Sequence, residues 1–270
     1  MKPVQLLSIE WKKFFPNSTF RVMAALYAGS FTLLLLLARL VGTNMNFTAN
    51  GRSYNPTADF FIYPKNWAFL AWLGSWPNMA LLGFLGVFMI TLEFNHKTLR
   101  QSVIFGLGRR DVVLAKLGWV TALALAATAF YLVLGLGGAV LGGSGLGVPP
   151  LTCVSGFFLQ ALGYLLLGTL AGLLIRQTAL ATLSYLAYVM FLETVARWIF
   201  YFAVARTQLL GFLPEQVLSG LTPLPLPDAV GSLGGGSLLP LSVWQVSVAA
   251  LLYAALFAGI FRNRILHSDL

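Results

Sequence analysis

Two long apolar blocks, separated by only three residues, decide the fold class of this chain. Residues 153–203 read CVSGFFLQALGYLLLGTLAGLLIRQTALATLSYLAYVMFLETVARWIFYFA. Each block has the roughly 20 residues that a helix needs to cross a ~30 Å hydrocarbon core. The polar link at 176–178 is so short that the two helices must be antiparallel neighbours. Gly168 and Gly172 give the first block a GxxxG spacing, which predicts close packing against another helix.

The rest of the chain repeats this pattern. Of its 270 residues, 58% are hydrophobic and 9% are charged, whereas a soluble domain carries about 25% charged residues. We therefore predict an all-α integral membrane protein with a single transmembrane domain over residues 1–270. The six predicted spans are Val22–Val41, Trp67–Ile90, Leu117–Leu141, Cys153–Ile175, Ala179–Ala203 and Val243–Phe261. Six spans place both termini on the same side of the membrane.

The basic residues predict which side that is. Connections on one side of the spans carry twelve Lys and Arg residues, and those on the other side carry three. The richer side holds Lys2, Lys12, Lys13, Arg21, Lys97, Arg100, Arg109, Arg110, Lys116, Arg176, Arg262 and Arg264, and the poorer side Arg52, Lys65 and Arg206. Cytoplasmic connections are enriched in Lys and Arg, so we predict cytoplasmic termini. Because the basic residues lie between apolar blocks rather than on one face of a domain, we expect no nucleic-acid binding.

Residues 1–19 precede the first span and predict an amphipathic helix that lies in the membrane interface. Its apolar stripe comprises Val4, Leu7, Trp11, Phe14 and Phe15. Glu10, Lys12 and Lys13 fall on the other side of the helix, which we expect to face water. Leu6 and Ile9 stray from the stripe.

The connection before the last span is apolar but cannot be one helix. Residues 209–240 read LLGFLPEQVLSGLTPLPLPDAVGSLGGGSLLP and contain five prolines, and proline in a helix interior removes a backbone hydrogen bond. An ordinary linker would be more polar. We predict short re-entrant helices within residues 207–240, which dip partway into the outer leaflet and are sheltered by the neighbouring spans.

The charged connection between the second and third spans predicts a helical hairpin. Residues 91–117 read TLEFNHKTLRQSVIFGLGRRDVVLAKL. Lys97–Phe105 is expected to form a short helix, Gly106 and Gly108 to interrupt it, and Asp111 to cap a second helix that continues through Lys116. The hairpin would project into the cytoplasm over residues 92–116. A solvated positive loop without a binding role is the alternative interpretation.

At this hairpin the chain resembles the type-2 ABC exporter permeases, which are six-span subunits that pair with a separate ATPase. The shared pattern is an acidic residue leaving span two, a Thr-Leu-Arg sequence, a Gly-x-Ser-Arg turn and a Lys entering span three. The matching residues are Glu93, Thr98, Leu99, Arg100, Gly106, Leu107, Arg109 and Lys116. Gly108 stands where the family commonly has Ser. The similarity extends over the whole chain through the order of its segments.

The resemblance implies how the chain would work. In that family the hairpin is the coupling helix that docks on the ATPase, so Lys97–Phe105 is expected to be the main contact. The residues expected to couple to the ATPase are Glu93, Lys97, Thr98, Leu99, Arg100, Gly106, Arg109, Arg110 and Lys116. The resemblance also implies a homo- or heterodimer in the cytoplasmic membrane of a prokaryote, with a translocation path near spans one, two and five. The chain has no GxxxxGK[ST] phosphate loop, so we expect a partner ATPase, not this chain, to bind ATP and Mg²⁺.

Two polar features inside the spans are further candidates. Glu193 and Arg197 are four residues apart on one face of span five and are expected to pair. They either line the transport path or anchor the re-entrant segment, or they form a charge pair that serves only helix packing. Pro77, followed by Asn78, predicts a kink in span two that is either a hinge or a static bend.

Other chemistries have little support in the sequence. The two histidines, His96 and His267, are on predicted cytoplasmic segments, across the membrane from Ser144 in a glycine-rich outer loop. A serine nucleophile needs a base within about 3 Å, so we expect no protease. One cysteine, Cys153, excludes a disulfide within the chain, and we expect no metal site. A non-transporting anchoring subunit remains the main alternative to the permease, and an ion-coupled carrier is less favoured because it would need more carboxylates within the spans.

Overall fold

The computed structural model of the chain describes residues 3–44, 47–49, 52–54, 58–104, 106–142, 147–203, 208–225 and 241–267. The helices, in chain order, are α1 Pro3–Phe14, α2 Ser18–Asn44, α3 Lys65–Pro77, α4 Gly83–Asn95, α5 Thr98–Ile104, α6 Arg109–Gly142, α7 Leu151–Ile175, α8 Thr178–Ala187, α9 Glu193–Ala203, α10 Pro214–Gly220 and α11 Val243–His267. Two three-residue strands, β1 Phe47–Ala49 and β2 Arg52–Tyr54, form a small antiparallel ribbon after α2.

Six helical spans in the described part of the chain are long and apolar enough to cross a membrane, which agrees with the predicted number of spans and is consistent with a multi-pass membrane protein. The second span is α3 and α4 joined by the π-helical residues Asn78–Leu82. The fifth span is α8 and α9 joined by a second π-helical stretch, Tyr188–Leu192. The other spans are α2, α6, α7 and α11.

The centre of the bundle is a tight seam between α4 and α7. A Cβ atom placed on Gly168 would lie 2.0 Å from the carbonyl oxygen of Gly83, and one on Gly172 would lie 2.8 Å from the carbonyl oxygen of Val87. A Cβ atom placed on Gly86 would likewise lie 2.5 Å from the Leu165 carbonyl oxygen of α7. The glycines of the GxxxG pair therefore serve packing, as predicted, and they bring the two helix backbones into contact.

Aromatic side chains fill the half of the bundle away from α5. The rings of Tyr131 and Phe157 stack with centroids 4.6 Å apart, and Phe31 stacks on the other side of Phe157 at 6.0 Å. The Tyr131 hydroxyl donates a hydrogen bond to the Trp67 carbonyl oxygen, 3.0 Å away. Such stacking adds about 0.5–1.5 kcal/mol per pair to the burial of the rings. This core fixes α2, α3, α6 and α7 relative to one another.

The N-terminal helix α1 packs on α6 with a face that overlaps the predicted stripe only in part. Phe14 of the stripe is buried and stacks on Trp119 of α6. Leu6 and Glu10 are buried against the protein, although Leu6 was expected to stray from the contact face and Glu10 to face water. Trp11 and Phe15 are about half exposed. Periodicity predicted the helix but assigned Glu10 wrongly, because a carboxylate that finds a buried cation does not follow hydrophobic periodicity.

The predicted helical hairpin is present with two changes. Its first helix is α5, followed by Gly106 in a left-handed conformation with φ of 93°. Phe105 lies outside the described residues. The second helix begins at Arg109, so Asp111 lies in its first turn rather than capping it, and the helix runs without a break into the third span. A carboxylate in the first turn is still favourable, because it faces the positive end of the helix dipole.

The apolar segment before the last span is described as far as residue 225, and residues 226–240 of the predicted re-entrant region lie outside the description. The described part contains a short 3₁₀ stretch, Gln208–Phe212, and α10. The Leu218 side chain of α10 lies against Gly163 of α7. Gly163 is about 18 Å along α7 from Leu151. The helix α10 therefore reaches well into the bundle.

Candidate functional site

Four charged side chains meet between α1, α4 and α6. Lys116 hydrogen bonds to both Glu10 Oε2 and Glu93 Oε1. Lys13 Nζ lies 3.4 Å from Glu93 Oε1 and 3.6 Å from Glu10 Oε1. We refer to Glu10, Lys13, Glu93 and Lys116 as the charge clamp. Its two lysines balance its two carboxylates.

Three of the four charge-clamp residues are almost fully removed from solvent, and the fourth, Lys13, is partly exposed. Glu10 is 2% exposed, Glu93 3% and Lys116 1%, and the Lys116 ammonium also lies 4.9 Å from the centre of the Phe14 ring. Breaking such a buried pair by removing one partner typically costs about 3–5 kcal/mol, because a charge is left without compensation. The clamp therefore fixes the start of α6 and the end of α4 to α1.

The clamp also reaches the hairpin helix α5. Lys13 Nζ lies 3.4 Å from Ser102 Oγ, and the Ser102 hydroxyl donates to the Thr98 carbonyl oxygen at 2.8 Å. The side chain of Leu99, a residue of α5, is buried. The inner side of α5 is thus attached to the body of the protein through Ser102 and Leu99.

The structure divides the predicted coupling residues into an inner and an outer set. Glu93, Leu99 and Lys116 are buried. They therefore pack between the hairpin and the bundle and are not part of the exposed surface of the hairpin. Lys97, Gly106, Arg109 and Arg110 are exposed and Thr98 is partly exposed. The Arg109 guanidinium also donates to the Leu266 carbonyl oxygen at the end of α11. Nothing is described of the Arg100 side chain.

Among the large apolar side chains described in the hairpin, the most exposed is one that the sequence did not single out. Ile104 is 80% exposed at the end of α5. It is beside charged residues and at the end of the bundle where α1, α5 and the C-terminus of α11 lie together, which we call the hairpin end. A single exposed apolar side chain is common on protein surfaces, so Ile104 is a candidate contact residue through its position on α5 beside the exposed Lys97 and Arg109.

A second polar group, the amide cluster, lies inside the bundle. The Tyr27 hydroxyl donates to Asn78 Oδ1 at 2.8 Å, and Asn78 Nδ2 donates to Gln160 Oε1 at 3.2 Å. Gln160 Nε2 lies 2.9 Å from Ser75 Oγ, 2.8 Å from Thr222 Oγ1 and 3.0 Å from a backbone carbonyl oxygen of α10. Both amides are fully buried. The cluster ties α2, the second span, α7 and the residues after α10 to one another.

The predicted pair Glu193 and Arg197 belongs to a third group, the carboxylate cluster. No ion pair joins these two side chains in the described part of the chain. Gln216 of α10 bridges them: its backbone N–H donates to Glu193 Oε1 at 3.1 Å, and its side-chain oxygen accepts a hydrogen bond from Arg197. Its amide nitrogen contacts the adjacent Glu215 carboxylate. The two side chains are therefore joined through the Gln216 amide of α10 and not by direct contact.

The π-helical stretches connect these clusters within the membrane. The Tyr185 hydroxyl donates to the Met79 carbonyl oxygen in the first stretch, at a distance of 2.6 Å. The Tyr185 ring occupies the space beside Gly83, where a Cβ atom would lie 1.9 Å from the hydroxyl oxygen. A π-helical turn leaves backbone groups without their usual partners, and such turns occur often at functional sites. Here Tyr185 supplies the missing partner and links the second and fifth spans.

Comparison of the sequence with protein-family models and with curated proteins finds no match. The described residues contain no group of three or more His, Cys, Asp and Glu side chains placed to hold a metal ion. The described polar groups instead hold helices together. Buried charges fix the hairpin, and a hydrogen bond joins the second and fifth spans near the middle of their length.

Proposed function

We propose that this chain is the membrane-spanning permease subunit of an ABC exporter. It would work as a homo- or heterodimer and take its energy from ATPase subunits supplied in trans, with its termini and hairpin in the cytoplasm. The proposal rests on the hairpin. Its inner side contacts the charge clamp through Lys13 and Ser102, the clamp joins α1, α4 and α6, and the outer side of the hairpin presents Lys97, Ile104 and Arg109.

The attachment gives a physical route from ATP to the membrane. Closure of two ATPase subunits would displace a docked α5, and the clamp would carry α1, α4 and α6 with it as one body. The motion would then reach the π-helical stretches, where the second and fifth spans meet through Tyr185 and Met79. A loosely attached loop would absorb the displacement instead.

The first experiment is isolation of the tagged chain from the cells that express it, followed by identification of its bound subunits and measurement of ATP hydrolysis. We expect an ABC ATPase in the complex and hydrolysis that responds to transported substrate. A stable complex that contains only proteins without a nucleotide-hydrolysing domain would favour the anchoring-subunit alternative and overturn the proposal.

A matched pair of variants then tests the hairpin as the docking surface. Ile104→Asp is expected to weaken binding of the ATPase by about tenfold or more, because a charge replaces an apolar contact at an interface. Val148→Asp is the control, since Val148 is 82% exposed but lies at the opposite end of the bundle. Equal retention of the ATPase by both variants would argue against docking through α5.

A further inference from the structure

An open cavity of about 460 Å³ lies between α6 and α11 at the hairpin end, and its lining residues belong to none of the three clusters. Its size is within the roughly 300–1,000 Å³ that is usual for ligand sites. Arg110 and Arg262 line it, together with apolar residues that include Leu114, Leu117 and Ala255.

The cavity changes from basic to apolar along its length. Arg110 is in the first turn of α6, and Arg262 is in the last part of α11. At ~1.5 Å per residue, Leu117 is about 12 Å from the start of α6, and Ala255 is about 18 Å from the end of α11. One end therefore lies where the helices leave the membrane, and the other lies within its hydrocarbon core.

Small residues of α11 keep the apolar end open. A Cβ atom added to Gly259 would meet no atom within 4 Å, and Ala255 is exposed. On the facing helix, Leu114 is 61% exposed. The apolar end of the cavity therefore opens sideways toward the lipid and forms a groove instead of a closed pocket.

The basic end of the groove carries two arginine side chains that are available to bind an anion. Among the described residues, neither Arg110 nor Arg262 makes an ion pair, and both are exposed. A guanidinium presents a planar set of donors that matches a phosphate group. Two of them at the membrane surface, above an apolar groove, complement a molecule with an anionic head and a hydrocarbon tail.

We propose that this groove binds an anionic phospholipid of the surrounding membrane. Arg110 and Arg262 hold its phosphate, and an acyl chain lies along Leu114, Leu117 and Gly259. Basic pockets between spans on the cytoplasmic side are a general mode of recognition for acidic headgroups. Nucleotides fit less well, because the groove walls are apolar and face lipid. The site requires that the chain spans a membrane with the hairpin end at the cytoplasmic face, as proposed above, and it does not depend on the proposed transport function.

The test is native mass spectrometry of the full-length purified chain, titrated with phosphatidylglycerol or with phosphatidylcholine of the same acyl chains. The unaltered protein is expected to retain phosphatidylglycerol preferentially. Replacing both arginines (Arg110→Gln with Arg262→Gln) should weaken that binding by on the order of tenfold and leave phosphatidylcholine binding unchanged. Gly259→Leu should also reduce phosphatidylglycerol retention, because its side chain fills the apolar groove while both charges remain.

Two control variants separate this site from general effects. Arg264→Gln removes a charge from the same helix but outside the groove, and Gly137→Leu adds bulk at another open position on α6; both should bind phosphatidylglycerol as the unaltered chain does. Equal retention of the two lipids by the unaltered chain, or an equal loss in Arg264→Gln, would overturn the proposal. Displacement of the lipid by millimolar inorganic phosphate would also overturn it, because the site would then recognise a free anion.

Discussion

The charge clamp and the carboxylate cluster each hold two buried carboxylates between helices, but they differ in balance. The clamp sets two lysines against Glu10 and Glu93. In the described part of the carboxylate cluster, a single cation, Arg197, faces Glu193 and Glu215 across the bridging Gln216. A balanced buried group resists separation. In the carboxylate cluster, burial and then the neighbouring Glu193 raise the pKa of Glu215 to about 7, so Glu215 gains or loses its charge readily near neutral pH and the cluster can rearrange.

The charge clamp and the carboxylate cluster also differ in the regularity of the helices that carry them. The clamp joins ends of regular α-helices, with α6 running unbroken from Arg109. The carboxylate cluster directly follows the π-helical stretch Tyr188–Leu192 and contacts α10, a helix of seven residues. We infer that the hairpin end acts as a rigid attachment and that rearrangement is concentrated around α9 and α10.

The largest effect should come from removing the shared cation of the clamp. Lys116→Met leaves two carboxylates buried side by side, so we expect a loss of about 3–5 kcal/mol in stability. Lys13→Met is the matched control and should cost about 1 kcal/mol or less, because the Lys13 side chain is 29% exposed. Thermal unfolding of both variants in the same detergent measures the difference. Similar melting temperatures for the two would show that the clamp is not a buried anchor.

The seam between α4 and α7 should carry the next largest effect, since it connects the two ends of the bundle. Gly168→Ala places a methyl group against the Gly83 carbonyl oxygen, and overpacking of this kind typically costs about 1–3 kcal/mol. Gly137→Ala has open space around its Cβ and should be close to neutral. Thermal unfolding again measures both, and a neutral Gly168→Ala would mean that the helices can separate freely at this level.

The amide cluster should give a smaller loss. Gln160→Leu removes the acceptor of Asn78 Nδ2 and the donor to Thr222. Hydrogen bonds between membrane helices are worth about 0.6 kcal/mol on average and up to about 1.7, so a loss of about 1–2 kcal/mol is expected. Limited proteolysis should also show faster cleavage after α10, because Thr222 loses its attachment. Unchanged cleavage would argue that other contacts hold that segment.

The smallest change in stability is expected for a substitution in the carboxylate cluster. Glu193→Gln keeps an oxygen that can accept from the Gln216 N–H and removes one of two like charges, so stability should change by less than about 1 kcal/mol. Glu93→Gln, the equivalent change in the clamp, should destabilise more, because it unbalances the two lysines. Equal losses in the two variants would remove the distinction between a rigid and an adaptable end.

The sequence predicted those parts of the molecule that depend on local pattern. Span number, the hairpin helix and the GxxxG contact follow from apolar length, glycine position and charge, and the structure agrees with them. Residues that meet across long sequence separations could not be predicted in this way. Glu10 was assigned to water because its partner, Lys116, is on another helix, and no local pattern connects the two.

The same limit applies within the membrane. Pro77 indicated an irregular second span, although as a kink and not as the π-helical stretch that follows it. The stretch at Tyr188–Leu192 has neither proline nor glycine and carried no signal. Gln160, the centre of the amide cluster, was overlooked. Its hydrogen-bond partners are distant in the sequence, and one polar residue in an apolar span does not indicate which residues they are.

Docking of an ATPase on the hairpin can be tested in the cells that express the chain, by replacing Ile104 with a photo-crosslinkable aromatic amino acid. We expect an ultraviolet-dependent crosslink from position 104 to an ABC ATPase subunit, and none when the same amino acid replaces Val148. Docking on the hairpin would be excluded if position 104 crosslinked only to lipid, or only to proteins on the outer side of the membrane, and to no nucleotide-hydrolysing subunit.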